Sequence, residues 1–201
     1  MTTLQASLRP GGQMSFQLCF KWLIRVVMAL MIVSLIGCTP LSVTHPETAQ
    51  QRAAVKTFYD KAVSLNVMGL PTAEELAQLK PLLSTRLVSL LEQAQAHQAR
   101  DHARHRGAEP PLVQGSVFFS LFEGANRVIA VAPDDVPNLW AVTLGYGRPG
   151  IDEFSWTDEV LLTKESDRWV VDDLERMGQW DFSHTGWLSN TLMALQNDSN
   201  R

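Results

Sequence analysis

The chain has 201 residues, 45% of them hydrophobic and 19% charged, which suits a globular protein and excludes long disorder. The net charge of -4 gives no footprint for a nucleic-acid binder. Residues 1–37 hold Arg9, Lys21 and Arg25 and no acidic residue, so the acidic charge all lies further along the chain and the two parts are read separately.

Basic residues ending at Arg25 precede an apolar run from Val26 to Ile36, broken only by Ser34. As a helix that run rises about 16 Å, too little for about 30 Å of hydrocarbon. A charged stretch followed by a short apolar one has the form of a secretory signal. A start at Met14 gives that signal a more usual length. The run ends Leu35-Ile36-Gly37-Cys38, which resembles the lipobox of bacterial lipoproteins. The resemblance implies a diacylglyceryl group on the Cys38 thiol, cleavage just before it and acylation of the new amino terminus. Thr39 rather than Asp after the cysteine implies the outer membrane, facing the periplasm. The expected partner of this end is therefore the membrane, through acyl chains on Cys38. Cys19 leaves with the signal, so beyond Cys38 no thiol remains for a disulfide, a metal site or a nucleophile.

The expected organisation is a signal over 1–37, a tether over 38–52, one α+β domain over 53–196 and a tail over 197–201. The tether is polar and contains Pro40 and Pro46. Helical spacing runs from about Glu47 to Val67, with Val55, Phe58, Tyr59, Ala62, Val63 and Leu65 on one face, and Gly69 and Pro71 end it. Thr72-Ala73-Glu74-Glu75 forms a capping box for a short helix ending near Lys80-Pro81. Ser84 caps a third helix with the stripe Leu87, Leu90, Leu91, Ala94, which then fades and projects into solvent towards Gly107.

Then the period changes. Val117 to Phe122 is an apolar run ending at Glu123-Gly124. Strands are expected from Arg127 to Ala132, Leu139 to Gly147, Glu153 to Lys164 and Arg168 to Glu175. Short turns between them, Ser166-Asp167 among them, give an antiparallel meander. Trp187, Leu188, Thr191, Leu192 and Leu195 describe a short C-terminal helix. Helices first and a contiguous meander afterwards indicate an α+β fold with helices packed on one face of the sheet.

Residues 70–84 (LPTAEELAQLKPLLS), 118–124 (FFSLFEG), 155–163 (SWTDEVLLT) and 168–182 (RWVVDDLERMGQWDF) resemble a bacterial family of lipoproteins and periplasmic proteins classed as a domain of unknown function. Helices followed by a curved meander are also similar to the nuclear-transport-factor-like cone fold, which implies a pocket between helices and sheet. That superfamily hosts enzymes, transport factors and binding modules, so the resemblance implies a cavity and not a reaction.

Asp158 shares the face of Phe154, Trp156, Val160 and Leu162. A carboxylate among aromatics has a raised pKa, as a general base needs. Tyr146 shares its face with Trp140, and Asp with Tyr in an apolar pocket suits proton abstraction beside a carbonyl. The alternative is that Asp158 caps loop amides or pairs with an arginine, the usual state of a buried carboxylate. Trp156 and Trp180 are expected at a pocket mouth, with Trp180-Asp181-Phe182 a loop pinned by aromatics; Trp169 and Trp187 are expected in the core. Of Asp172 and Asp173, one must face each side of its strand, the inward one bonding to the sheet edge or to the following Gly178-Gln179-Trp180 loop. His97, Asp101 and His105 share a helical face, yet His102, Arg100, Arg104 and Arg106 surround them, so a solvated basic helix end is expected rather than a metal site.

No phosphate-binding glycine loop, HExxH or GxSxG motif occurs, and no cofactor is expected. The expectation is a non-enzymatic envelope protein that binds a periplasmic protein or a small ligand. The alternatives are a cofactor-independent isomerase or lyase-like enzyme using Asp158 and Tyr146, and an envelope immunity lipoprotein that neutralises a toxin.

Overall fold

The computed structural model describes residues 46–104 and 113–197. The signal, Cys38 and His105 lie outside them. Helix α1 spans Pro46–Leu65 and buries Val55, Phe58, Tyr59 and Ala62 along one stripe. Proline suits the first helical position, where its missing N–H has no partner to lose. The helix therefore takes in residues 46–52 of the expected tether.

Helix α2 spans Ala73–Leu79 behind a complete capping box: the Glu75 amide donates to Thr72 Oγ1 at 3.2 Å, and the Thr72 amide donates to Glu75 Oε2 at 2.7 Å. Pro81 tightens the chain into the 3-10 turn Lys80–Leu82. Helix α3 spans Thr85–Arg104, and the Leu87 amide donates to the capping Ser84 Oγ at 3.0 Å. Its end does not simply project into solvent. His97 continues the buried stripe three residues after Ala94, because residues three apart share a helical face.

Strands β1 (Arg127–Pro133), β2 (Leu139–Tyr146), β3 (Phe154–Glu165), β4 (Arg168–Met177) and β5 (Thr185–Trp187) form one open antiparallel sheet in sequence order. Helix α4, Leu188–Asn197, follows directly. The fold is α+β as expected. Ser166 and Asp167, both at positive φ (48° and 62°), make the two-residue turn of the β3–β4 hairpin. Trp187 belongs to β5 rather than to the C-terminal helix, and it is half-buried, as is Trp169.

One face of the sheet makes the core. Trp140, Val142 and Leu144 of β2 lie against Trp156, Val160 and Leu162 of β3, and Val171 and Leu174 of β4 complete the layer. Helix α1 lies on β1, β3 and β4, while α3 and α4 pack on each other and on β4. Burying each large apolar side chain contributes about 1.5–3 kcal/mol. The apolar run at 117–122 forms no strand. It is a folded-back core loop in which Val117, Phe118 and Phe119 are buried, with Phe118 edge-on to Phe58 at 5.7 Å. The Ser116 amide closes the loop on the Phe122 carbonyl at 2.8 Å. Gly115 makes this possible: it has φ +73°, and a Cβ there would lie 2.6 Å from the Phe122 ring.

Candidate functional site

Strand alternation brings Asp158 to the core face of β3, where it is 1% exposed. Four donors meet its two oxygens. The Ser120 amide and the Trp156 indole Nε1 donate to Oδ2, both at 3.0 Å. The Met177 amide donates to Oδ1 at 3.0 Å, and the Ser120 hydroxyl donates to the same oxygen. A carboxylate has about four acceptor positions, so this one is filled. The Gly178 amide donates to Ser120 Oγ at 3.0 Å, and the His184 amide to the Ser120 carbonyl at 2.8 Å. Asp158 and Ser120 thus tie β3 to the 113–126 loop and to the 178–184 loop.

Tyr146 stands apart from this hub. It is 39% exposed and registers opposite Phe154, whereas Asp158 registers opposite Val142. Four residues of strand separate the two levels by about 13 Å, so the pair does not converge on one substrate atom. The tyrosine whose charge environment includes Asp158 is Tyr59 of α1. Its hydroxyl is buried with no hydrogen-bond partner, and burial first, then Asp158, push its pKa well above the ordinary value. That hydroxyl stays protonated.

Asp172 and Asp173 are set by a bulge in β4, which places Leu161 opposite Asp173 and Leu162 opposite Val171. Half-buried Asp172 accepts from Ser84 Oγ at 2.7 Å and from Arg86 Nε and Nη2 at 3.1 and 3.0 Å. That pairing raises the Arg86 pKa. Buried Asp173 bonds neither a sheet edge nor the 178–180 loop. It accepts from the Ser189 amide at 3.0 Å and from the Ser189 hydroxyl, so it caps the first turn of α4. Arg176 lies buried on the same strand. Burial lowers its pKa, and Asp158 and Asp173 pull it back up.

The two tied loops carry the aromatic residues. Trp180 meets Phe154 edge-on at 5.0 Å and Trp156 at 6.1 Å, and Phe154 stacks on Trp156 at 5.8 Å. Between the loops runs a groove of about 400 Å³ lined by Leu121, Phe122, Glu123, Trp180, Asp181 and Phe182. Phe122 stacks on His184 at 6.4 Å. The His184 imidazole is held below its ordinary pKa, by burial first and by Arg176 second, so it is neutral at pH 7. Phe182 is not the pin that the aromatic loop leads one to expect. It is 89% exposed, at φ +64°.

Of the aromatic residues expected at a pocket, Trp180 lines the groove, Trp156 braces it from the core, and Trp140 is buried in the core under Arg52, whose guanidinium lies 5.3 Å from the ring centroid. Sequence reasoning missed Ser120, Phe122, Glu123, Asp181 and Phe182 as parts of one site. The signal was present in two short aromatic-acid segments, Phe122-Glu123 and Trp180-Asp181-Phe182, which nothing in the sequence places face to face. Among the described residues no group of three or more His, Cys, Asp or Glu side chains is placed to hold a metal ion. Among them, too, no helix is long and apolar enough to cross a membrane.

No family model matches the chain, and no curated protein matches it. Among solved structures it is similar to the crystal structure of a protein of unknown function from Bacteroides thetaiotaomicron VPI-5482. The TM-score is 0.39 and the identity 11%, over 67% of this chain and 95% of that one.

Proposed function

We propose that the protein is a non-enzymatic binding module of the bacterial envelope. Acyl chains on Cys38 hold it at the outer membrane, facing the periplasm, and the groove between residues 121–123 and 180–182 receives its ligand or partner. The observation that carries this reading is the state of Asp158. Its oxygens are filled by four donors that shape two loops, which supports a scaffolding role over that of a general base. The groove falls in the usual size range of ligand sites and is largely apolar, with a few polar groups at its edge.

The test is native mass spectrometry of the full-length protein extracted from its own envelope in a non-ionic detergent. The expected result is a stoichiometric small adduct, or one defined co-purifying protein, that is lost in Phe182→Asn. That variant removes the exposed ring, and asparagine tolerates the left-handed backbone there. A bare protein, or an adduct indifferent to Phe182→Asn, would overturn the assignment of the groove.

A further inference from the structure

We infer that the groove binds a small organic cation, of the alkylated ammonium class. This deepens the binding-module reading and rests on it. Three aromatic side chains, Phe122, Trp180 and Phe182, line one groove with Leu121. Among the described residues the remaining lining ones are Glu123 and Asp181, so both charged side chains there are acidic and none is basic. Each acid is the chain neighbour of an aromatic residue that lines the groove with it. A cation is attracted to the face of an aromatic ring, and most strongly when its shell of water is weak. Alkyl groups on nitrogen supply both the weak hydration and the apolar surface that Leu121 and the rings match.

Two further features fit a preformed cage. The Trp180 ring is held in place by Phe154 and Trp156, so it needs no ordering on binding. Phe182 is presented almost fully to solvent from a left-handed backbone, a conformation that costs a bulky residue free energy. The turn that holds it is closed by the Ser183 amide on the Trp180 carbonyl at 3.1 Å, and Gly178 leaves room for Ser183. His184, stacked on Phe122, is uncharged at neutral pH and does not oppose a cation. An uncharged apolar ligand has no use for the two acids, and an anion is repelled by them. A phosphate-bearing lipid headgroup is disfavoured for the same reason, so the ligand is a free small cation.

The experiment is a calorimetric titration of the detergent-solubilised full-length protein with three probes: choline, its neutral isostere 3,3-dimethylbutan-1-ol, and phosphocholine. Choline is expected to bind at least tenfold more tightly than either of the others. Phe182→Asn should weaken choline at least tenfold. Glu123→Gln with Asp181→Asn should weaken choline severalfold and leave the isostere unchanged, with the melting temperature not lowered in either variant because all three side chains are exposed. Equal binding of choline and isostere, lost in Phe182→Asn, overturns the cation assignment and leaves the binding-module reading standing. Phosphocholine binding as tightly as choline overturns the free-cation assignment. No binding of any probe also overturns it, and the binding-module reading is then decided by the adduct or partner carried by the extracted protein.

Discussion

At the scale of single residues the molecule turns on Asp158. Each oxygen receives two donors, so replacing either oxygen by an NH2 group sets a donor against donors. In Asp158→Asn the amide settles with its NH2 at the Oδ1 position, where the Ser120 hydroxyl can turn to accept from it and only the Met177 amide is left unsatisfied, at about 1–3 kcal/mol. Expected is a loss of about 1–3 kcal/mol, a sizeable share of the ~5–15 kcal/mol that keeps a domain folded. A urea titration checks this through a lower midpoint at unchanged slope. An unchanged midpoint would remove the scaffolding role and return Asp158 to the candidates for chemistry. The residue itself was legible, because two-residue alternation puts position 158 on the apolar face with Trp156 and Val160. Its role was not. Three of its four donors belong to Ser120 and Met177, distant in sequence, and two of those are backbone amides that leave no mark in a side-chain pattern. Tyr146 had the right alternation and the wrong level of the sheet, since alternation fixes a face and says nothing about position along it.

At the scale of elements, the same strand carries two carboxylates that work at different places. The β4 bulge breaks strict alternation, so Asp172 reaches Ser84 and Arg86 near α3 while Asp173 reaches Ser189 at the start of α4. Asp173 also accepts from Arg86 Nη2 at 3.4 Å. A negative charge at a helix N-terminus is favoured by the orphan amides and by the helix dipole. Asp173→Ala should cost about 1–2 kcal/mol as a lost cap. Hydrogen exchange should quicken at amides in 188–197 and stay unchanged in β2 and β3; uniform quickening would mean that Asp173 supports the whole core instead. The elements read well where their period had room to show. The four longer strands and the capping residues Thr72 and Ser84 stand close to where the sequence put them. Three residues of β5 are too few to reveal alternation, and Trp187 falls in helical spacing with Thr191, so the strand was hidden inside a helix pattern. The run at 117–122 is apolar but for Ser120 and shows no clear period, so only the structure separates a core loop from a buried strand.

At the scale of the whole molecule, the helices pack on the sheet around one hydrophobic core, and the aromatic groove lies between two loops. On the proposed reading an anchored module would meet ligands from the periplasmic space while lipid sets its position, which would divide the chain into a part that locates and a part that binds. The anchor reading makes a prediction independent of the groove. One acyl chain gives only marginal, reversible membrane binding, whereas several give a stable anchor, at about 0.8 kcal/mol per buried methylene. Under the proposal, Cys38→Ser removes the thiol that would accept the diacylglyceryl group, and with it the residue that the cleaving peptidase would require. The variant should retain its signal and show an intact mass without acyl additions. The wild-type protein should instead begin at Cys38, carry the acyl mass and partition into the detergent phase. Isolated after expression in its own host, the two forms are distinguished by intact mass and phase partitioning alone. A wild-type mass lacking acyl groups would sink the anchor and leave the proposed binding of an organic cation untouched, because none of the described residues that line the groove lies before position 121.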